Sequence, residues 1–174
     1  TLKVEAARML QEVLLRGELT EIEVLAYIRK VKEVLPNIPV GYVDAYYQFS
    51  EHPQIVDACD LVLINCYPFW EGCNIDQASV YLKQMVTLAK NAAKGKPVII
   101  SETGWPSQGD QVKEAVPSPE NAMKYFINVN NWVQTEEVEM FYFSSFDESW
   151  KERYEGNVGQ RWGIWDKNEL LKYS

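Results

Sequence analysis

The stretch PVIISETGWPS, residues 97–107, is a short apolar run that ends in a carboxylate, Glu102. Gly104, Trp105 and Pro106 follow directly, and this order predicts a buried strand that stops at a rigid turn. In parallel α/β sheets, ligands bind beyond the carboxyl ends of the strands. The stretch therefore predicts a strand that delivers one fixed carboxylate to a functional edge.

Apolar runs of this kind alternate with helical patterns along the chain. Thr20 followed by Glu23 predicts a capping box at the first helix, and Asp76 and Ser118 are candidate caps of the last two. Alternating strands and helices indicate an α/β fold with a parallel sheet and outer helices. The predicted strands are residues 39–46, 61–67, 97–103 and 139–145, and the predicted helices are residues 20–34, 51–59, 77–94 and 118–133.

Four such strands are half of a (β/α)8 barrel, which typically needs about 250 residues. An open four-stranded α/β sheet is the alternative. Upstream of the alternation, residues 1–17 are rich in strong helix formers with one apolar stripe, which predicts an extra N-terminal helix. The chain begins at Thr1 rather than Met, and we therefore expect a processed product or a piece of a longer protein.

The composition argues against several classes of function. The net charge is −8 over 174 residues and no basic stretch occurs, so nucleic acid and anionic membranes are poor partners. The sequence contains no run of 18 apolar residues, so no membrane-spanning helix is predicted. With one histidine, His52, and no C-x-x-C pair, neither a metal site nor a Ser-His-Asp triad is expected.

Three cysteines, Cys59, Cys66 and Cys73, are expected as free thiols, with a Cys66–Cys73 bridge as the open alternative. Catalysis, if present, would therefore rest on carboxylates.

Six blocks occur in this order along the chain: VLLRGELT (13–20), INCYPFWEG (64–72), SETGWPS (101–107), SSFDESWK (144–151), EGNVGQRWG (155–163) and RWGIWD (161–166). Their order and spacing make the chain resemble glycoside hydrolase family 17, the β-1,3-glucanases and β-1,3-glucan transglycosylases. The bacterial and fungal branch is the nearer resemblance. The resemblance runs from about residue 12 to about residue 168 and covers only the C-terminal half of the family's barrel.

This resemblance implies one half-barrel domain over residues 1–174. Residues 18–174 would supply strands five to eight with their helices, and residues 1–17 would form a helical segment in place of strand four. It implies binding or cleavage of β-1,3-glucan or another oligosaccharide by a retaining mechanism, and an extracytoplasmic (periplasmic or secreted) location. Glycoside hydrolysis by carboxylates needs neither a metal nor an organic cofactor, so none is expected.

The resemblance also implies catalytic residues. Glu102 matches the family's nucleophile, and Glu12 matches its acid/base at the end of strand four. Leu10 and Gln11 stand where the family has Gly and Asn before that acid, and Glu148 matches a glutamate near the active site.

Polar and aromatic side chains at or just past the strand ends are the candidate substrate contacts, because rings bind the flat faces of sugars while amides and carboxylates bind hydroxyls. Core packing is the alternative for every ring. The candidates are Tyr47, Asn65, Tyr67, Phe69, Trp105 and Glu148.

Half a barrel leaves edge strands unpaired, and such edges recruit other chains. We therefore expect a homodimer of half-barrels or a missing N-terminal half as the partner. Two functions stay open from the sequence. One is an enzyme acting on β-1,3-glucan, and the other is a catalytically inactive half-barrel that self-associates and serves as a binding or structural module.

Overall fold

The computed structural model describes residues 11–173. The elements follow the predicted alternation and confirm an α/β fold. They are α1 Glu21–Val34, β1 Gly41–Ala45, α2 Gln48–Glu51, α3 Pro53–Ala58, β2 Leu61–Asn65, α4 Ile75–Ala92, β3 Val98–Thr103, α5 Pro119–Thr135, β4 Met140–Tyr142 and α6 Glu152–Glu155, with 3-10 turns at Ser149–Lys151 and Gly156–Val158.

The four strands form one sheet in the order β1-β2-β3-β4. β1 and β2 pair in parallel, with Gly41 opposite Leu61 and Ala45 opposite Asn65. Strands that follow the chain order in a parallel sheet need a crossover between each pair, and the helices supply it. This order is the one that consecutive strands of a (β/α)8 barrel have.

The helix signals were mostly correct. The Thr20–Glu23 capping box is present at α1, and the Ser118 side chain accepts the Asn121 N–H at α5. Asp76 is not a cap, because α4 begins at Ile75 and Asp76 already lies inside the helix. The Asn74 side chain accepts the Asp76 N–H at 2.9 Å.

The predicted helix over residues 1–17 is wrong for residues 11–17, which form hydrogen-bonded turns; residues 1–10 lie outside the described part of the chain. Glu12 and Gly17 both have positive φ angles, of 55° and 66°. The Glu12 N–H donates to Val43 O of β1 at 3.0 Å. A tertiary hydrogen bond has thus overridden the local helix propensity.

The described chain divides into two compact units. The first contains the described residues up to Cys66 together with Gln84–Ser101. Its core is mostly aliphatic, with Val24, Ile28 and Ile55 buried, and it also buries the rings of Tyr42 and Phe49. The expectation of a single domain over residues 1–174 stays a prediction.

The second unit comprises Tyr67–Lys83 and Glu102–Ser174. Its core is aromatic, and Phe69, Trp105 and Tyr125 are among the largest fully buried side chains. Such rings bury much more area than aliphatic side chains and prefer edge-to-face contacts.

Cys59 and Cys66 are buried, Cys73 is half-buried, and no disulfide joins any two of these three cysteines, so the Cys66–Cys73 bridge is not formed. Within residues 11–173, none of the helices combines the length and the apolar character needed to span a membrane.

Gly104 explains the turn after β3. A Cβ atom added there would lie 1.9 Å from the carbonyl oxygen of Phe143 and 3.3 Å from the Trp162 ring. The Phe143 N–H in turn donates to the Thr103 carbonyl at 2.8 Å. The backbone of the chain after β4 therefore passes directly over Gly104, and only glycine leaves room for it.

We expect Gly104→Ala to lower the free energy of unfolding by at least about 3 kcal/mol, because a backbone atom stands in the way of the methyl group. Gly156→Ala is the matched control: Gly156 has a φ of 69° with nothing within 4 Å of an added Cβ, so only backbone strain of about 1 kcal/mol is expected. Urea unfolding of both variants measures the difference, and equal losses would contradict the steric explanation.

Candidate active site

Glu102 lies near the carboxyl end of β3, half-buried, as the sequence predicted. The Tyr67 hydroxyl donates to its Oε2 at 2.7 Å. A neutral donor at this distance orients the carboxylate and favours its ionised form. The next residue, Thr103, is buried and hydrogen-bonded to the Tyr125 hydroxyl at 2.6 Å, which fixes the strand end.

The Tyr67 ring is held by two other rings of the second unit. Its centroid lies 6.0 Å from that of Phe143 and 5.3 Å from that of Trp162, both nearly edge-on. Trp162 is 3% exposed and also contacts Phe69 at 5.6 Å. Tyr67 therefore combines a fixed ring with a hydroxyl directed at Glu102.

Phe69 and Trp105 are core residues rather than exposed sugar platforms. Their exposed fractions are 0% and 1%, and their ring centroids lie 5.3 Å apart. The Trp105 indole N–H donates to the Val116 carbonyl at 3.0 Å. The expectation that these two rings contact a sugar directly does not fit their burial. Trp70, which packs on Phe69 and is 39% exposed, is a ring with free surface.

Glu148 is half-buried and forms an ion pair with Lys151. Lys151 is only 8% exposed, and its ammonium nitrogen lies 3.7 Å from the centre of the Phe143 ring. A buried ammonium requires such partners, because an unpaired charge in the interior is costly. Glu148 is therefore at least a structural counter-ion, and its contact with substrate stays a prediction.

Asp147, the neighbour of Glu148, is buried and holds the end of the chain in place. Its Oδ1 accepts the Gly163 N–H at 2.9 Å and binds the Lys172 ammonium at 2.8 Å. Burial lowers the pKa of Lys172, while this hydrogen bond opposes the shift. Asp147 is thus used entirely by the fold.

Glu155 is a carboxylate of this region that the sequence analysis missed. The Trp162 indole N–H donates to its Oε2 at 3.0 Å. Burial raises the pKa of Glu155, and the neighbouring charges of Glu102 and Glu148 raise it further, while Lys151 and the indole oppose the shift. Glu155 and Trp162 both belong to the quoted EGNVGQRWG block, but the sequence analysis did not name Glu155 as a site residue.

Glu12 lies in the first unit, in a hydrogen-bonded array. The Asn65 amide nitrogen donates to its Oε1 at 2.7 Å, and Arg16 Nη1 lies 3.8 Å from its Oε2. The Asn65 amide oxygen accepts the Ser101 hydroxyl at 2.8 Å. Asn65, expected as a substrate ligand, is buried and uses both ends of its amide on protein atoms.

Tyr47 is half-buried at the amino end of α2, and its ring stands perpendicular to that of Tyr46 at 5.3 Å. Its role in sugar binding stays a prediction. Among residues 11–173, no three His, Cys, Asp or Glu side chains are grouped in a way that could hold a metal ion.

Each unit thus presents one hydrogen-bonded glutamate at or beside a strand end, Glu12 in the first and Glu102 in the second. Two carboxylates are the groups that glycoside hydrolysis requires.

Comparisons with known proteins agree with this chemistry. Residues 4–163 match the family described as the BtgE/BtgC glycoside hydrolase domain. A glucan 1,3-beta-glucosidase of Arthroderma benhamiae is 30% identical over 98% of the chain. The glucan 1,3-beta-glucosidase BGL2 of Candida albicans is 30% identical over 94% of it.

The crystal structure of a glycoside hydrolase family 17 beta-1,3-glucanosyltransferase from Rhizomucor miehei superimposes with a TM-score of 0.86 and 36% identity over 93% of the chain. An active-site mutant of the same protein, in complex with laminaritriose, gives the same TM-score. The chain spans 61% and 60% of the two glucosidases and 59% of the glucanosyltransferase. The predictions of the family and of half a (β/α)8 barrel are thereby confirmed.

We expect Glu155→Gln to raise stability at neutral pH. A carboxyl group whose pKa is raised by folding favours the folded state below its unfolded pKa, and this contribution is lost as the pH rises through the folded value. The amide resembles the protonated acid at every pH, so the variant should exceed the wild type at pH 7 and match it at pH 4. Urea unfolding at both pH values checks this. An equal gain in the free energy of unfolding at pH 4 and pH 7 would show that the charge of Glu155 is not the cause.

Proposed function

Because the chain belongs to the BtgE/BtgC glycoside hydrolase domain family, we propose that the protein cleaves or transfers β-1,3-glucan by a retaining mechanism. The observation that carries the proposal is the half-buried Glu102 carboxylate at the end of β3, held by the Tyr67 hydroxyl. The laminaritriose bound by the Rhizomucor miehei protein supports a β-1,3-linked gluco-oligosaccharide as ligand.

We assign the nucleophile role to Glu102. Its carboxylate attacks the anomeric carbon as the bond from that carbon to the leaving oxygen breaks, giving a covalent glycosyl-enzyme. The Tyr67 hydrogen bond orients the carboxylate before attack. As the ester forms, negative charge leaves Glu102 and this hydrogen bond weakens.

We assign the acid/base role to Glu12. It donates a proton to the leaving oxygen, and then accepts one from the water or sugar hydroxyl that attacks the anomeric carbon and releases Glu102. Water as the acceptor gives hydrolysis, and a sugar hydroxyl gives transfer. The hydrogen bond from Asn65 and the nearby Arg16 support a carboxylate that is fixed by polar contacts.

For the substrate we retain Tyr47, Tyr67 and Glu148 as candidate sugar contacts. Asn65 acts in this proposal by holding Glu12, and Phe69 and Trp105 act by supporting Tyr67 and its neighbours from the core. An inactive binding or structural module remains the second candidate, favoured by one observation: Leu10 and Gln11 stand where the family has Gly and Asn before the acid.

Glu102→Gln should lower kcat on laminari-oligosaccharides by at least about 10³-fold, because the amide cannot form the glycosyl ester. Glu12→Gln should lower it about 10²- to 10⁴-fold on the same substrate. It should have little effect on glycosyl-enzyme formation from a 2,4-dinitrophenyl β-laminaribioside, whose leaving group needs no proton.

Glu136→Gln, an exposed carboxylate at the C-cap of α5, is the control and should leave turnover unchanged. Turnover that survives Glu102→Gln would sink the nucleophile assignment. A folded wild-type protein that binds laminaritriose in calorimetry without turnover would favour the binding module.

We also propose self-association of two half-barrels. β4 is the last strand in the sheet order, and Phe141 on it is 67% exposed. Exposed apolar edge strands recruit further chains, and two-fold dimers are the commonest closed assembly. At β1, the other end of the order, the Glu12 N–H already occupies the Val43 carbonyl.

Sedimentation equilibrium should therefore give twice the 20.1 kDa mass of the chain. Phe141→Glu should shift the protein to monomer, because it places a charge on the contact strand. Val34→Glu, at an exposed position at the end of α1, is the matched control and should remain dimeric. A monomeric wild type would leave an N-terminal half as the partner for this edge.

A further inference from the structure

Glu155 has no role in the two-carboxylate chemistry, yet it makes a specific contact to a buried ring. It is the last residue of α6, and the Trp162 indole N–H donates to its Oε2 at 3.0 Å. Its place is closely packed, since a Cβ added to Gly159 would lie 2.8 Å from the Glu155 Cβ. The Glu155 carboxylate is therefore held in one position by its hydrogen bond and by close packing.

The contact continues to the candidate nucleophile through two further steps. Trp162 packs edge-on against Tyr67, with ring centroids 5.3 Å apart and an angle of 71° between the planes. Tyr67 then donates to Glu102 Oε2 at 2.7 Å. Every member of this series lies in the second unit.

We propose that Glu155 is a positioning residue for Glu102: it anchors the Trp162 indole, which fixes the Tyr67 ring and thereby the hydroxyl that binds the nucleophile. The inference rests on the proposed function for its catalytic meaning, but the anchor itself is a structural property. A displacement of Tyr67 by a fraction of an ångström would weaken its hydrogen bond, because such bonds are steeply angle- and distance-dependent.

Glu155 also acts on Glu102 through charge, and this effect must be separated from the anchor. The charged groups that face Glu155 are Lys151, Glu148 and Glu102. An ionised Glu155 repels the ionised form of Glu102, whereas the anchored Tyr67 hydroxyl favours that form. Removing the charge and removing the anchor therefore move the titration of Glu102 in opposite directions.

Three variants separate the two effects. Glu155→Gln removes the charge but keeps an oxygen that can accept the indole N–H. Glu155→Leu removes both the charge and the acceptor at similar size. Trp162→Phe keeps the Glu155 charge and an aromatic ring but deletes the N–H donor.

The readout is the pH titration of the Glu102 side-chain carboxyl carbon by ¹³C NMR, with the resonance assigned by its absence in Glu102→Gln. We expect the Glu155→Gln midpoint to lie below that of the wild type. The Glu155→Leu midpoint should lie above that of Glu155→Gln, and the Trp162→Phe midpoint above that of the wild type. Equal midpoints in Glu155→Gln and Glu155→Leu would contradict the proposal that Glu155 anchors Trp162. If Glu155→Leu does not fold, a midpoint in Trp162→Phe equal to that of the wild type would contradict it instead.

Kinetics on laminari-oligosaccharides supply the catalytic half of the test. Glu155→Leu should lose at least about tenfold in kcat relative to Glu155→Gln with KM little changed, since misplacement of a reacting group costs rate rather than binding. Equal kcat values would overturn the positioning role. An inactive wild type would contradict the proposed function alone, because the NMR titration still decides whether Glu155 anchors Trp162.

Discussion

The hydrogen bond from the Tyr67 hydroxyl to Glu102 is the interaction on which the second unit of the structure depends. A half-buried carboxylate needs a donor, and a phenol that is to reach it must have its ring fixed at the other end. Phe143 and Trp162 fix that ring, and Phe69 and Trp105 lie behind them in the core. The burial of so many large rings in one unit is thus tied to the orientation of a single hydroxyl.

Close backbone contacts permit this arrangement. Gly104 lets the carbonyl of Phe143 pass, and an added Cβ at Gly163 would lie 2.2 Å from the Asp147 N–H nitrogen. The polar groups around these contacts are satisfied within the protein: Asp147 by Lys172 and Gly163, and Lys151 by Glu148 and the Phe143 ring. Glu155 differs from them because burial opposes its ionised form and raises its pKa.

The order of helices and strands, the capping box at Thr20 and the place of Glu102 could be predicted from the sequence, because periodicity and cap chemistry are local signals. The turns at residues 11–17 could not, because the Glu12 N–H bonds to Val43, a partner some 30 residues away in the chain. The burial of Phe69 and Trp105 was likewise hidden, since an aromatic residue after a strand has the same sequence signature in a core as on a surface. Glu155 was quoted in the EGNVGQRWG block but not named as a site residue, because the sequence does not show that its carboxylate accepts the Trp162 indole N–H.

The unequal placement of the tryptophans gives the protein two optical populations. Trp105 and Trp162 are almost fully buried, whereas Trp150 is 59% exposed and Trp70, Trp132 and Trp165 are partly exposed. Emission from the buried pair should be blue-shifted and protected from iodide, and emission from the others red-shifted and quenchable. Since Trp162 contacts Tyr67 and is bonded to Glu155, the protected component is an intrinsic signal from the immediate surroundings of Glu102, available without any added label.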